Sequence, residues 1–291
     1  MSTHYAPPQG SGRDQTTGAD VTIVRPRAGW VALNLPELWH YRELLYFLVW
    51  RNIKVRYKQT LLGASWALIQ PLATMVVFSI FFGRLAKVPS DGVPYPLFAY
   101  CGLLPWQLFS YAMTEASNSV VGNQQLITKV YFPRLVVPIS AVISGLVDFT
   151  ISFSLLLLMM PFYGVMPTVR ILVLPLFILF AIATALAIGL WLSALNVEYR
   201  DVRYTIPFLT QFWLLITPVA YPSSLVPAKW RALMGLNPIA GVVEGFRWAL
   251  LGNRSSGSGA LMMVSVVIVI ALLFGGIVYF RRMETTFADL V

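Results

Sequence analysis

Six long apolar runs follow one another between residues 64 and 280. A helix needs about 20 consecutive apolar residues to cross the hydrocarbon core of a bilayer. The composition agrees, because only 11% of the residues are charged, whereas soluble domains average roughly 25%. We therefore predict an all-α integral membrane protein with six transmembrane helices in one domain, residues 61–282. The predicted spans are 64–83, 97–117, 135–162, 171–195, 206–221 and 260–280.

The apolar run between the fifth and sixth spans is broken into short pieces. Residues 226–252 contain two prolines and Asn237, so no piece is long enough to cross a bilayer. Irregular backbone persists at membrane depth only where protein or water surrounds it. A complete crossing would also carry Glu244 and Arg247 through hydrocarbon. We predict a re-entrant helical pair marked by Asn237, Pro238, Glu244 and Arg247, with the last two paired at i, i+3. The alternative is a helix on the outer surface.

The Lys and Arg residues are unevenly divided between the two sides of this topology. With the N-terminus inside, about two thirds of the 21 basic residues fall in cytoplasmic segments, the side on which membrane proteins concentrate them. Both termini, including the tail at 283–291, are therefore predicted to lie in the cytoplasm. The net charge of +9 is then a topology signal and does not predict nucleic-acid binding.

The N-terminal part of the chain divides into a polar leader and a helix. Residues 1–29 are rich in Gly, Pro, Ser and Thr, which predicts a disordered cytoplasmic leader. Residues 30–60 contain a helix that begins after Asn34, a favourable N-cap, and runs to about Gln59. Its cations share a face opposite an apolar one, which is typical of a helix lying in the membrane interface. The cations of that face are Arg51, Lys54 and Lys58, and Arg56 is a further basic residue of the predicted interface helix. The alternative is packing on a soluble domain, which the chain does not supply.

Groups for catalysis or cofactor binding are nearly absent from the sequence. His4 lies in the leader, His40 on the interface helix, and the single cysteine, Cys101, in an apolar run. No Cys or His spacing fits a zinc site, and no G-x-x-x-x-G-K-[ST] motif offers a phosphate-binding loop. We predict a chain that is not an enzyme and binds no cofactor. If ATP drives it, a separate subunit has to bind the ATP.

Two acidic residues fall within or near the predicted spans, Asp148 at the middle of the third and Glu115 near the inner end of the second. Acids at membrane depth indicate ion or proton coupling by default. No basic residue is expected at the depth of Asp148, so we favour a structural, hydrogen-bonded role for it. An ion-coupled carrier remains an alternative. A membrane-embedded enzyme is disfavoured, because the two acids lie on different spans.

Two polar loops and several aromatic residues are the remaining candidates for function. Residues 122–134 (GNQQLITKVYFPR) predict a helix of one or two turns, and residues 196–205 (NVEYRDVRYT) alternate acids and bases. With the interface helix they form a face suited to docking another protein, although each loop alone is also typical of a generic surface. Aromatic side chains in the second and fifth spans can stack on sugar rings, although most Trp and Tyr in membrane proteins are interfacial anchors or packing residues. The candidates are Trp106, Phe109, Tyr111, Phe212, Trp213 and Tyr221.

Four stretches occur in a characteristic order along the chain: RNIKVRYKQTLLGASWALIQP, ITKVYFPR, LNVEYRDVRY and LNPIAGVVEGFRWALLG. Together they resemble the membrane subunits of bacterial ABC transporters that export polysaccharides, the O-antigen, capsule and teichoic acid permeases. The resemblance covers roughly residues 37–282. It implies a homodimeric, multi-pass permease of the inner membrane for lipid-linked polysaccharide. A permease of the same build for a drug or a lipid remains an alternative.

The resemblance also implies a partner and roles for the loops. Two copies of a separate ATP-binding subunit would hold ATP and Mg, and residues 122–134 would be the coupling helix that contacts them. The re-entrant pair would line the external mouth of the channel. The residues implied in coupling to the ATPase are Gln124, Gln125, Leu126, Ile127, Lys129, Tyr131, Arg134, Glu198, Arg200 and Asp201.

Overall fold

The computed structural model describes residues 35–58, 63–252, 259–284 and 287, and all the regular structure in these residues is helical. This confirms the predicted all-α class for the described part of the chain. The predicted leader at 1–29 lies outside the described residues. The helices are α1 Leu35–His40, α2 Arg42–Tyr57, α3 Trp66–Phe78, α4 Tyr95–Gly122, α5 Gln124–Lys129, α6 Val136–Phe162, α7 Leu174–Glu198, α8 Val202–Ile216, α9 Ala228–Met234, α10 Pro238–Leu251 and α11 Gly259–Glu284.

Four helical segments of the described residues are long and apolar enough to cross a membrane. They are Gly63–Leu85, Val136–Phe162, Val169–Glu198 and Met262–Glu284, and they coincide with the first, third, fourth and sixth predicted spans. α4 has sufficient length, 28 residues, but is less apolar than these four. α8 has only 15 residues, fewer than a perpendicular crossing needs.

α4 is the central helix of the bundle and packs against α3, α6, α7, α8 and α10. Its closest neighbour is α7, because small residues face each other where the two helices meet. A Cβ atom added to Gly189 of α7 would lie 2.6 Å from the Cβ of Ala116 on α4. Small residues at such contacts let helix backbones approach closely, which is how helices associate in membranes.

Two apolar clusters identify the two ends of the bundle. The first, with Ile127 of α5 and Leu48 of α2, also takes in Phe280 from the last helix; we call this the α5 end. The second extends from the middle of the bundle to α10 and includes Phe246 and Tyr100; we call its far side the α10 end. Long helices therefore connect a face made by α2 and α5 to a face made by α9 and α10.

The predicted interface helix is shorter than expected and is divided in two. It bends at Tyr41 between α1 and α2, and it ends at Tyr57. α2 packs along α6 through the buried Leu48, while Tyr46 and Phe47 are exposed. The side of α2 that faces away from the bundle therefore carries aromatic and charged residues together, and it is not uniformly cationic. Its exposed aromatic and charged residues are Arg42, Glu43, Tyr46, Phe47, Trp50 and Lys54.

Two short helices, α9 and α10, occupy the segment for which a re-entrant pair is predicted. They meet at residues 235–237, and Pro238 is the first residue of α10. Pro238 has no backbone N–H, so it suits a first-turn position where that group would have no helical partner. α10 packs against α4, α7 and α11 and buries most of its length, so it does not lie on the surface of the bundle.

Candidate functional site

A cavity of about 420 Å³ opens between α3, α4 and α6, with one residue of α8 at its wall. Polar residues line this cavity, although the three helices are otherwise mostly apolar. Gln70 and Thr74 are spaced i, i+4 on α3, and Gln107 and Ser110 lie one turn apart on α4, so each helix presents a polar stripe. The polar lining residues are Gln70, Thr74, Gln107, Ser110, Thr114, Asp148 and Ser152, and the aromatic ones are Trp66, Trp106, Tyr111 and Phe149.

The walls of the cavity are joined by hydrogen bonds from hydroxyl groups. Ser152 of α6 donates to the carbonyl of Ala67 at 2.6 Å, and Tyr100 of α4 donates to the carbonyl of Ser152 at 3.1 Å. These bonds fix α3, α4 and α6 relative to one another. By contrast, the side-chain amides of Gln70 and Gln107 bond to no other group of the described residues. Their donors and acceptors therefore remain available to a polar ligand or to water.

The six aromatic candidates do not form one surface. Trp106 and Tyr111 line the cavity. Phe109 is fully buried and packs on the Trp106 and Trp213 rings, with centroids 5.6 and 5.2 Å apart. Phe212 is exposed on the outside of α8. The sequence indicates the aromatic helices correctly but cannot separate rings that line the cavity from rings that pack in the core.

The last two aromatic candidates belong to the α10 end instead. The Trp213 indole N–H donates to the Asn237 side-chain oxygen at 3.0 Å, and the Asn237 amide donates to the Thr217 hydroxyl at 3.1 Å. Tyr221 lies beyond the end of α8, in the turn where its hydroxyl donates to the carbonyl of Ile216 at 3.1 Å. Asn237 thus joins the end of α8 to the start of α10.

Residues that sequence reasoning missed are Trp66, Gln70 and Gln107. Each lines the cavity, and the two glutamines are uncharged polar residues in otherwise apolar helices. The signal that could have found them is their spacing: Gln70 and Thr74, like Gln107 and Tyr111, recur at i, i+4, so they lie on one face of a helix.

The prediction that no basic residue lies at the depth of Asp148 is wrong. Arg56, from the last turns of α2, forms an ion pair with the Asp148 carboxylate, and the Tyr57 hydroxyl donates to the same carboxylate. The Arg56 guanidinium also lies 3.9 Å from the centre of the Tyr111 ring. Burial and then the bond to Asp148 raise the pKa of Tyr57 to about 12, so this hydroxyl stays protonated and donates. The predicted hydrogen-bonded role of Asp148 thus involves a charged partner.

The four basic residues named on the interface helix make different contacts. Arg51 donates to the Asn123 side-chain oxygen, between α4 and α5, and Arg56 points to α6. Lys54 and Lys58 are exposed, and Lys54 lies 5.3 Å from the centre of the Trp50 ring. The basic pattern on α2 therefore serves partly to attach this helix to the bundle.

α5 lies at the end of the bundle that is named after it, and it has one buried side and one exposed side. Ile127 is buried in the apolar cluster with Leu126 packed beside it, which anchors this six-residue helix. The rest of the predicted coupling set on this segment is mostly exposed. The exposed residues are Gln124, Gln125, Lys129 and Tyr131, and, at the end of α7, Glu198, Arg200 and Asp201.

Arg134 is a further predicted coupling residue that is not exposed. Its backbone N–H donates to the Glu284 carboxylate at 3.1 Å, and its guanidinium lies 5.9 Å from the centre of the Phe287 ring. It therefore connects the start of α6 to the C-terminal end of α11 rather than contributing an exposed group.

The predicted pair between Glu244 and Arg247 is not formed, which corrects the expectation from i, i+3 spacing. The Arg247 guanidinium donates to the carbonyls of Pro218 at 2.6 Å and Val219 at 2.5 Å, and lies 3.6 Å from the centre of the Phe98 ring. The chain beyond α8 is not helical, so its carbonyls lack helical partners. A guanidinium, with five N–H donors, can satisfy several of them at once.

Comparisons with known proteins identify the family of this chain. Residues 43–251 match the family model described as ABC-2 type transporter. The chain is 32% identical over 251 residues to the O-antigen export system permease protein RfbA of Myxococcus xanthus, covering 85% of this chain and 95% of that protein. It is 24% identical to a protein of the same name from Klebsiella pneumoniae, over 86% and 95% of the two chains.

A relative with a different name is also similar. The polysialic acid transport protein KpsM of Escherichia coli is 24% identical over 239 residues, or 80% of this chain and 91% of that one. The family match spans more than half of the sequence and includes every helix from α3 to α10. This chain belongs to the ABC-2 type transporter family.

Proposed function

We propose that this chain is the membrane-spanning permease subunit of an ATP-driven exporter that moves lipid-linked polysaccharide across the bacterial inner membrane. The observation that carries the proposal is the polar cavity within an apolar bundle of this family. Its free amides and hydroxyls, beside the Trp66 and Trp106 rings, suit a ligand with many hydroxyl groups. Relatives named for O-antigen export and polysialic acid transport support a glycan over a drug or a simple lipid.

We propose six crossings, with α4 as the second span and α8 as a short fifth span, and α9 and α10 as a re-entrant pair. Burial of α10 among α4, α7 and α11 supports this arrangement, because irregular backbone at membrane depth has to be enclosed by protein or water. The excess of Lys and Arg supports a topology with the α5 end and both termini in the cytoplasm. The α10 end then faces the periplasm.

We propose that two copies of the chain form the transport path. Gln70 is exposed within the first span, and a side-chain amide that faces lipid without a hydrogen-bond partner is costly. α8 buries only Ile206 of its 15 residues, so most of its surface is left uncovered within one chain. A second copy that covers α3 and α8 would enclose these faces together with the open side of the cavity.

In this proposal, export is driven by ATP hydrolysis in a separate ATP-binding subunit, two copies of which would hold ATP and Mg. The exposed residues of α5 and the following turn form the surface that would contact it. Replacing Lys129 and Tyr131 together with alanine should abolish copurification of the ATPase, because the exposed ring of Tyr131 is the type of side chain that dominates interfaces.

The matched control for this experiment is Tyr163→Ala, which removes an exposed ring at the opposite end of the bundle. Both variants are purified by a tag on the permease, and the amount of ATPase that accompanies them is measured. Retention of the ATPase by the Lys129→Ala, Tyr131→Ala variant would show that the docking surface is elsewhere.

The substrate is tested by deleting the gene in its own bacterium. We expect surface glycan to disappear and lipid-linked glycan to accumulate on the cytoplasmic side, because synthesis continues without export; a plasmid copy should restore export. Normal surface glycan would contradict the proposal and favour a drug or lipid substrate. Transport by the purified permease without an ATPase, driven by an ion gradient, would favour a carrier.

A further inference from the structure

The ion pair between Arg56 and Asp148 joins two parts of the molecule that are far apart in sequence. Arg56 and Tyr57 are in the last turn of α2, and Asp148 is near the middle of α6. Gly145 leaves space for the Tyr111 ring, since a Cβ at position 145 would lie 2.7 Å from that ring. The Arg56 guanidinium lies over the face of the same ring. The four side chains therefore converge from α2, α4 and α6.

The same ion pair borders the cavity. Asp148 and Tyr111 are both lining residues, and the side chains of Arg56 and Asp148 keep 27% and 28% of their surface exposed. A pair with this exposure is less costly to separate than a sealed one, because water can solvate the released charges. While the ion pair is formed, the positive charge of Arg56 compensates the negative charge of the Asp148 carboxylate, and the Arg56 side chain is held against the cavity wall.

α2 is also attached to the end of the bundle at which α5 lies. Arg51, five residues before Arg56, donates to Asn123 at the start of α5, and the Asn123 amide donates to the carbonyl of Ser119 on α4 at 2.7 Å. The two attachments are about 7.5 Å apart along the helix, at 1.5 Å per residue. A displacement of α5 therefore reaches Asp148 through one rigid helix.

We infer that Asp148 is a positioning residue through which α2 controls the cavity. In the closed state the Arg56–Asp148 pair holds α2 against α6; movement of α5 and α2 separates the pair and opens that side of the cavity to the glycan. The inference rests on the proposed export function for its physiological meaning. It requires in addition that the Arg56–Asp148 pair forms and separates during transport, whereas a purely structural ion pair would stay formed.

The movement itself can be measured without any glycan. Spin labels are placed on two exposed positions, Lys54→Cys on α2 and Ser154→Cys on α6; the native Cys101 is fully buried. In the complex with its ATPase, nucleotide should shift the distance between the labels. Adding Asp148→Asn should give the shifted or broadened distribution without nucleotide. Identical distributions in all states would overturn the inference.

The functional consequence is measured as glycan exported per ATP hydrolysed by the reconstituted complex. Asp148→Asn and Arg56→Gln should lower this ratio about tenfold, within the usual range of coupling between sites. Arg56→Lys keeps the charge and should recover most of it. A purely structural pair would reduce the yield of folded complex and leave the ratio unchanged, which would also overturn the inference. If the wild-type complex exports no glycan, the proposed function fails while the label distances still decide the role of Asp148.

Discussion

Gly189→Leu should eliminate the folded protein. The added Cβ would lie 2.6 Å from the Cβ of Ala116, an atom fixed to the backbone of α4 that cannot rotate away. Three further carbons would enlarge the overlap, so α4 and α7 would have to separate along their contact. Overpacking of a core costs about 1–3 kcal/mol and sometimes more, and here it separates the central helix from its closest neighbour.

The yield of monodisperse protein in detergent and its thermal midpoint measure this effect. Gly122→Ala is the matched control, because no atom lies within 4 Å of a Cβ at that position, and its midpoint should equal that of the wild type. Gly189→Ala should be intermediate, and combining it with Ala116→Gly should restore stability by moving the methyl group to the other helix. A wild-type midpoint for Gly189→Leu would show that the two helices are not held this closely.

Long apolar helices could be predicted closely from the sequence. The third span was expected at 135–162 and α6 runs from Val136 to Phe162, because hydrophobic length alone defines such a segment. The break at Pro238 was also visible, since proline and the preceding residue interrupt a helix in a way that depends only on local chemistry. The predicted end of the interface helix, about Gln59, is less accurate. α2 ends at Tyr57, and this end depends on contacts with α6.

Contacts between distant residues could not be predicted in the same way. Arg56 and Asp148 are 92 residues apart, and nothing in the periodicity of either helix shows that they meet. The partners of Arg247 are backbone carbonyls, which carry no side-chain identity to read. Spacing therefore favoured Glu244 as its partner, although the guanidinium points at the end of α8.

This difference also explains what could be predicted about the cavity. Hydrophobic patterns indicate which helices are in the membrane, and aromatic composition indicates where rings occur. Which face of α4 lines a cavity depends on how α3 and α6 pack beside it. Phe109 and Trp106 are three residues apart and both belong to the apolar core, yet only Trp106 also lines the cavity.

Arg247→Met should be the most damaging substitution at the α10 end. It removes the donors to two carbonyl oxygens, those of Pro218 and Val219, in a region with little access to water. A buried carbonyl left without a partner costs about 1–3 kcal/mol. Removal of a buried cation offsets part of this cost, so we expect a net loss of about 2–4 kcal/mol, which combines these two effects. The chain between α8 and α9 would then lose its fixed position.

A graded series separates the role of the donors from the role of the charge. Arg247→Lys retains the charge but can reach fewer carbonyls, so its thermal midpoint in detergent should fall between those of the wild type and Arg247→Met. Lys229→Ala is the control, because it removes an exposed cation from the neighbouring α9 and should change stability by less than about 0.5 kcal/mol. If Arg247→Met and Lys229→Ala melt alike, the carbonyls of Pro218 and Val219 must be satisfied without the guanidinium, and Arg247 does not hold the end of α8 in place.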